Sequence, residues 1–309
     1  MAIITAARYN TLQATVENVM GNGAGQFGYG QTLASSQVAA DTTIDSGHMS
    51  TLYTDLIDAR VHQVGSVPNS VASVSAGDII EEDATDTGTA KGILQYEDLA
   101  TLIETNKDVI YTADTSQSTI TANKTNTSRT ASWAGIVDHI ATVTFASADI
   151  RRHFFNAGGE IRFTADLDPA SSNGKNNDWN ALLANMGTVL FKSTNCTSVG
   201  SSPGTSFNIG NFGLTATDQL VFQKDGTGVY TENDYNIKAK ELNSTTIQFT
   251  IQFRDDDIGD DTGDSNADGA VNPVDESVTG TLQSVLGERL PTGSRVSLTS
   301  PTFNTTNTL

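Results

Sequence analysis

In the first third of the chain apolar residues recur every three or four positions, and in the second half they alternate with polar ones. Tyr9, Leu12, Val16 and Val19 or Met20 define one face of a helix over Ala6 to Met20, with Thr5 as its cap and Gly21 as its stop. Asp45 or Ser46 opens a second helix with Met49, Leu52, Tyr53, Leu56 and Ile57 on one side, ending near Gln63 before Gly65. Leu99, Ala100, Leu102 and Ile103 mark a third, from Tyr96 to about Lys107. The first two helices cannot bury both their apolar faces alone, so the pattern predicts that they pack on each other and on another domain or subunit.

The second half reads as strands. Ile136 to Phe145 is one. Arg151 to Phe163 reads as strand, turn, strand: Phe154 and Phe155 are β-favouring, Asn156 to Gly159 can adopt positive φ, and Glu160 to Leu167 then alternates. Asp178 begins a helix through Ala181, Leu182, Leu183 and Met186, stopped by Gly187. Strands follow at Thr188 to Lys192, Leu220 to Phe222, Tyr235 to Glu241, Thr245 to Arg254, Thr279 to Leu286 and Arg295 to Leu298. Turn signals stand at Asp225-Gly226 and Asn243-Ser244. Within the Thr245 strand, Thr246, Gln248, Thr250 and Gln252 alternate with Ile247, Phe249, Ile251 and Phe253, which predicts one polar and one buried face. Residues 66–95 read as an extended connector, and 108–130 as a linker or an exposed pair of strands. The expected fold class is α+β: an N-terminal helical docking region (1–66), a connector with one helix (67–135), and an antiparallel β-sandwich-like domain carrying one helix (136–309).

Composition narrows the partners. Only 37% of residues are apolar, while Thr, Ser, Asn, Asp and Gly abound, which suits an elongated or assembly-embedded protein better than a compact enzyme. The net charge of -19 repels phosphate and anionic lipid, so neither nucleic acid nor a membrane is an expected partner. The densest basic cluster, Arg151-Arg152 beside His153, is too short to track a nucleic-acid backbone and reads as a contact to acidic surface of this chain or of a neighbouring subunit. Cys196 is the single cysteine, so no intrachain disulfide or multi-cysteine metal site can form. Met1-Ala2-Ile3-Ile4 lacks the features of a signal peptide, and synthesis in a cytoplasm is expected.

Most candidate chemistry dissolves on inspection. Gly23-x-Gly25-x-x-Gly28 matches the dinucleotide fingerprint formally, but it follows a helix and leads into a polar loop instead of joining strand to helix. Its glycines read as sharp turns that let Phe27 and Tyr29 plug a neighbouring surface. His48 and His62 flank the second helix, either as a metal pair or, more commonly for lone histidines at helix ends, as surface groups facing the helix dipole. His139, His153 and Cys196 could meet Asp138 only through folding. One motif has metal-ligand spacing. In the segment 264–275, Asp264, Asn266, Asp268, Asn272 and Asp275 carry oxygen side chains, Gly269 supplies the turn and Ala270 can offer its carbonyl to calcium. The segment resembles the calcium loop of dockerin repeats and EF-hands, although it is single and is followed by strand-like sequence. The bland alternative is a solvated acidic loop, because residues 255–276 hold nine acidic residues and no basic one.

Five segments carry a wider resemblance: Gly25-Gln26-Phe27-Gly28-Tyr29-Gly30-Gln31, Asp58-Ala59-Arg60-Val61-His62-Gln63, Arg152-His153-Phe154-Phe155-Asn156-Ala157-Gly158-Gly159-Glu160-Ile161-Arg162, Asp178-Trp179-Asn180, and Gln252-Phe253-Arg254-Asp255-Asp256-Asp257. Together the chain resembles virion structural proteins of tailed cyanobacterial phages with contractile tails. The resemblance implies a non-enzymatic particle component made in the host cytoplasm, in the tail, neck or collar, or an appendage. Its implied partners are other phage structural proteins and further copies of the chain. The competing expectations are a receptor- or carbohydrate-binding appendage presenting Trp133, Trp179 or tyrosines at its surface, and a capsid decoration protein. For the loop itself, calcium is expected to raise the melting temperature and a chelator to lower it; a melting curve indifferent to both would count against metal binding there.

Overall fold

The computed structural model describes residues 4–66, 71–83, 91–111, 115–256 and 277–309. The chain forms two compact units, and neither is a continuous stretch. Unit 1 comprises Met1–Thr119, Asp149–Gly158 and Leu290–Thr299; unit 2 comprises Ile120–Ala148, Gly159–Arg289 and Ser300–Leu309.

Unit 1 is helical: α1 (Ala6–Met20), α2 (Ser46–Val64), α3 (Ile93–Thr105) and, from Asp149 on, α4 (Ala148–Asn156). Thr5 caps α1 by accepting from the Arg8 amide at 3.2 Å. Asp45 and His48 cap α2 reciprocally: Asp45 Oδ1 accepts from His48 N at 3.0 Å, and His48 Nδ1 accepts from Asp45 N at 3.2 Å. Gly65, at φ 75°, closes α2 in the left-handed conformation. The predicted faces converge on one core. Tyr9, Leu12, Val16 and Val19 pack with Met49, Leu52 and Leu56, with Ile93, Tyr96, Leu99 and Ile103, and with Tyr29, Val71, Val74 and Val296. The two helices pack on each other as expected, and the further partner, expected to be another domain or subunit, is supplied within unit 1. The cover comes from α3, from a stretch expected to be connector, and from a distant segment near residue 296.

Residues 151–155 are helical, not a strand. In α4, Arg151, His153, Phe154, Phe155 and Asn156 are buried while Ala148 and Asp149 at its start are exposed, so polar side chains share the covered part of the helix with the two phenylalanines. Asp149 in the first turn and His153 in the last suit the helix dipole, and Gly158 at φ 85° follows its end.

Unit 2 holds two antiparallel sheets and one helix. Its elements are β1 (Ser118–Arg129), β2 (Gly135–Thr144), β3 (Glu160–Pro169), α5 (Gly174–Met186), β4 (Val189–Phe191), β5 (Cys196–Ser198), β6 (Thr205–Ser206), β7 (Gln219–Asp225), β8 (Asp234–Asn243), β9 (Thr246–Asp255), β10 (Gly280–Pro291) and β11 (Thr302–Asn307). One sheet runs β1-β10-β3-β4-β5 and the other β11-β2-β9-β8-β7-β6. The sheets face each other through aromatic rings: Phe249 of β9 lies edge-on to Phe163 of β3 at 5.0 Å and to Phe191 of β4 at 5.1 Å. The fold is α+β with a sandwich-like sheet architecture.

Four strand-level expectations change. Residues 118–129 form a single edge strand, neither a linker nor a pair. The stretch Arg295 to Leu298 contributes only a bridge, Thr292 to Ser297, within unit 1. The helix α5 begins before Asp178, capped by Asn173, whose side chain accepts from Asn176 N at 2.8 Å. On β9 the polar side chains are buried too, Thr246, Thr250 and Gln252 included. This strand is central, between β2 and β8, and its neighbours shade both of its faces.

A polar thread crosses the sandwich. His139 of β2 is fully buried; its Nδ1 lies 2.9 Å from Ser284 Oγ of β10 and its Nε2 3.0 Å from Thr305 Oγ1 of β11, which is itself 2.8 Å from Thr125 Oγ1 of β1. Burial holds the ring neutral, with its pKa pushed down to about 4. The unfolded chain takes up this proton below about pH 6.5 while the fold does not, so the contribution is intact above pH 6.5 and is lost as pH falls toward 4. At about 1.4 kcal/mol per tenfold change in proton affinity, the loss reaches about 3 kcal/mol. In urea titrations between pH 7 and 4, the stability of His139→Asn is expected to fall less steeply than that of the wild type; parallel slopes would contradict a neutral buried His139.

Candidate functional site

Three of the segments that carry the resemblance meet inside unit 1. The glycine-rich stretch after α1 turns sharply, with φ of 52°, 59°, 93° and 72° at Gly23, Gly25, Gly28 and Gly30. It leaves carbonyls to be satisfied by side chains of α4. Arg152 donates through Nη2 to Asn22 O at 2.8 Å and through Nη1 to Phe27 O at 3.3 Å; His153 Nε2 lies 3.1 Å from Asn22 O; Asn156 Nδ2 donates to Gly28 O at 3.1 Å. Gly30 must be glycine, since a Cβ there would lie 2.4 Å from His153 Nδ1. The end of α2 joins the same cluster. His62 Nε2 is 3.1 Å from Ala157 O, and its ring stands edge-on to Tyr29 at 5.0 Å. Gln63 Nε2 donates to Ile103 O at 2.7 Å and to Tyr29 Oη at 3.2 Å, and Tyr29 donates to Lys107 O at 2.7 Å.

These contacts reassign several residues. Arg152 meets an exposed acid of this chain, Asp149, at 2.8 Å, in line with the expected contact to acidic surface, and also binds backbone carbonyls. His62 is buried, 2% exposed, with its pKa pushed down to about 4 by burial. His48 serves the cap of the same helix, about 21 Å away at 1.5 Å per residue, so the two form no metal pair. His153 is likewise held below its usual pKa by burial. Cys196 is buried in unit 2, which pushes its thiol pKa up, and Asp138 accepts from Gln252 Nε2 at 2.9 Å. His139, His153, Cys196 and Asp138 do not form a cluster: the two histidines and Asp138 have other partners, and Cys196 is buried as a free thiol. Trp133 and Trp179 are 4% and 0% exposed and pack edge-on at 6.0 Å, so neither is presented at a surface.

The candidate calcium ligands Asp264, Asn266, Asp268, Ala270, Asn272 and Asp275 lie outside the described residues. Their flanks do not. In the first turn of α5, Lys175 Nζ pairs with Asp255 Oδ1 at 2.9 Å with both side chains fully buried. The next residue, Asn176, exchanges two 2.8 Å hydrogen bonds with Thr279, donating to Oγ1 and accepting from N. Trp133 and Val278 exchange backbone bonds of 3.1 and 2.9 Å. One helical turn thus fixes the chain on both sides of residues 257–276. Asp178, one turn on, accepts from Thr227 N at 3.0 Å, and burial raises its pKa as it does that of Asp255.

Among the described residues no group of three histidine, cysteine or acidic side chains is placed to hold a metal ion, and no helix is long and apolar enough to cross a membrane. A 590 Å³ cleft beside the start of α1 contains one titratable side chain, Asp41. Compared with family models, curated proteins and solved structures, the chain finds no match.

The buried pair offers a direct test of the flank clamp. Lys175→Ala leaves Asp255 uncompensated and is expected to cost about 3–5 kcal/mol in denaturant unfolding, whereas Lys175→Met combined with Asp255→Leu should recover most of it. Equal losses in the single and double variants would mean that the charges are not coupled.

Proposed function

We propose that the protein is a non-enzymatic structural component of a tailed phage particle, in the tail, neck or collar, or an appendage. It is made in the host cytoplasm and acts through contacts with other phage structural proteins and with copies of itself. The observation that supports this most is the use made of the segments resembling phage structural proteins. Their polar side chains hold backbone carbonyls and pack a core, which is the work of a scaffold. The four histidines and Cys196 are likewise engaged in a cap, in buried hydrogen bonds or in packing.

With the helical faces covered inside unit 1, subunit contacts fall to the sheet edges. The strongest is β1, whose twelve residues, rich in Ser, Thr and Asn, are mostly exposed or half-buried on both faces and lie at the edge of their sheet. An edge of this kind is a template for added strands. A structural calcium ion in the 264–275 loop would stiffen a segment whose two flanks are already fixed. Of the rings a sugar-binding reading would draw on, Trp133, Trp179 and Tyr235 are core residues, while Tyr111 is exposed.

Mass spectrometry of purified particles is expected to find the chain at a fixed copy number per particle. A protein absent from particles, monomeric, and cleaving envelope polysaccharide would overturn the proposal.

A further inference from the structure

The outward face of the six-stranded sheet brings two carboxylates into direct opposition. Register sets Asp225 of β7 across from Asp234 of β8, Gln223 across from Asn236, and Asn236 across from Gln252 of β9. Strand alternation puts all five on the face opposite Tyr235 and Ile237, which are buried in the sandwich. Like charges opposed on a ladder are unfavourable. Burial first, and Asp225 second, hold the Asp234 carboxyl above its usual pKa.

One group bridges the pair: Gln223 Nε2 donates to Asp225 Oδ1 at 2.7 Å and to Asp234 Oδ1 at 3.0 Å. Beside it two amide oxygens stand without a donor. Asn236 is 3% exposed and its Oδ1 has no partner; Gln252 is 8% exposed, its nitrogen is taken by Asp138, and its Oε1 has no partner. Buried acceptors are normally satisfied. A cation borders this group: Arg254 of β9 lies across from Asp234, with its Nη2 held by Asp256 at 2.7 Å.

We propose that Asp225, Asp234 and Asn236, with the Gln223 amide turned to present its oxygen, form a binding site for a hard divalent cation of the calcium type. Two carboxylate oxygens already converge to within 3.0 Å of a single point, the Gln223 nitrogen; a cation taking that point displaces the amide, which then offers its oxygen from the side. Calcium–oxygen distances of about 2.3–2.6 Å need only a small contraction. Carboxylates with amide oxygens are the ligand set of hard cations, and a double positive charge offsets the opposed pair in a chain of net charge -19. The site uses none of residues 264–275 and does not depend on the particle reading.

Calorimetry with calcium chloride, together with melting curves in calcium and in EDTA, tests the site on the full-length chain. To separate it from the loop, the parent carries Asp264→Asn and Asp268→Asn. This parent is expected to bind one calcium and to melt higher in calcium than in EDTA. Adding Asp234→Asn, or separately Asp225→Asn, should weaken binding about tenfold or more and abolish the calcium-dependent rise, while the EDTA melting temperature stays level or increases as the repulsion is removed. Asn236→Ala should weaken binding without changing the charge. The proposal is overturned if the parent binds no calcium, if the aspartate variants bind as the parent does, or if both lower the melting temperature in EDTA, which would make the pair a structural contact.

Discussion

Backbone carbonyls that turn inward must find donors, and unit 1 depends on how that demand is met. Four left-handed glycines after α1 fold the chain back on itself and direct the carbonyls of Asn22, Phe27 and Gly28 toward α4. Arg152, His153 and Asn156 reach them only because a helix brings residues i, i+1 and i+4 to one side. A strand at this position would send alternate residues to opposite faces and leave carbonyls orphaned. The same helix offers Ala157 O to His62, and so ties in the end of α2. Within unit 2, α5 acts in a comparable way, since successive residues of its first turn hold β9 and the approach to β10.

Charge placement follows a second rule. The chain has 17 lysines and arginines against 36 acids, and several of those cations face acids that are nearly or fully buried. Lys175 pairs with Asp255, Lys124 with Glu288 at 2.9 Å, and Arg162 with Glu160 at 2.7 Å. Buried ion pairs of this kind add little net stability but are costly to break, so they specify geometry more than they strengthen it. Each such pair withdraws one acid together with its cation, so the net charge of -19 is still carried by the groups that remain. In a particle, surfaces so charged would depend on ionic strength and on counter-ions for close approach.

The helices α1 to α3 and the longer strands β2, β3, β8 and β9 were legible because apolar and polar residues recur in each at the period of its element. In α4 buried polar side chains stand among the phenylalanines, which hid the helix, and on β9 the polar face proved to be shaded. The strands β5 and β6 are very short, and β1 and β11 mix strand-favouring Thr with Asn, which is depleted in strands, so no apolar alternation marks them and only pairing with a neighbour does. The clustering of residues 25–31, 58–63 and 152–158 could not be read from spacing, since it depends on which carbonyls the glycines expose. His62 and His153 gave no signal that separates a packed ring from a ligand. The opposition of Asp225 and Asp234 follows from the turn signal at Asp225-Gly226 only once the hairpin register is known.

The interleaving of the two units also sets an order of assembly. Unit 1 takes Val296 into its core and ties Arg295 to Asp58 across a sequence separation of 237 residues, and Ser297 to Gln31 across 266. On a ribosome the three N-terminal helices would emerge long before the segment that completes their core, and most of the sandwich would be synthesised in between. Closure of such distant contacts carries a loop entropy that local helices do not, so the helical unit, although built of fast-forming elements, would be the last to become whole. Until then its apolar faces remain available to chaperones or to neighbouring nascent chains.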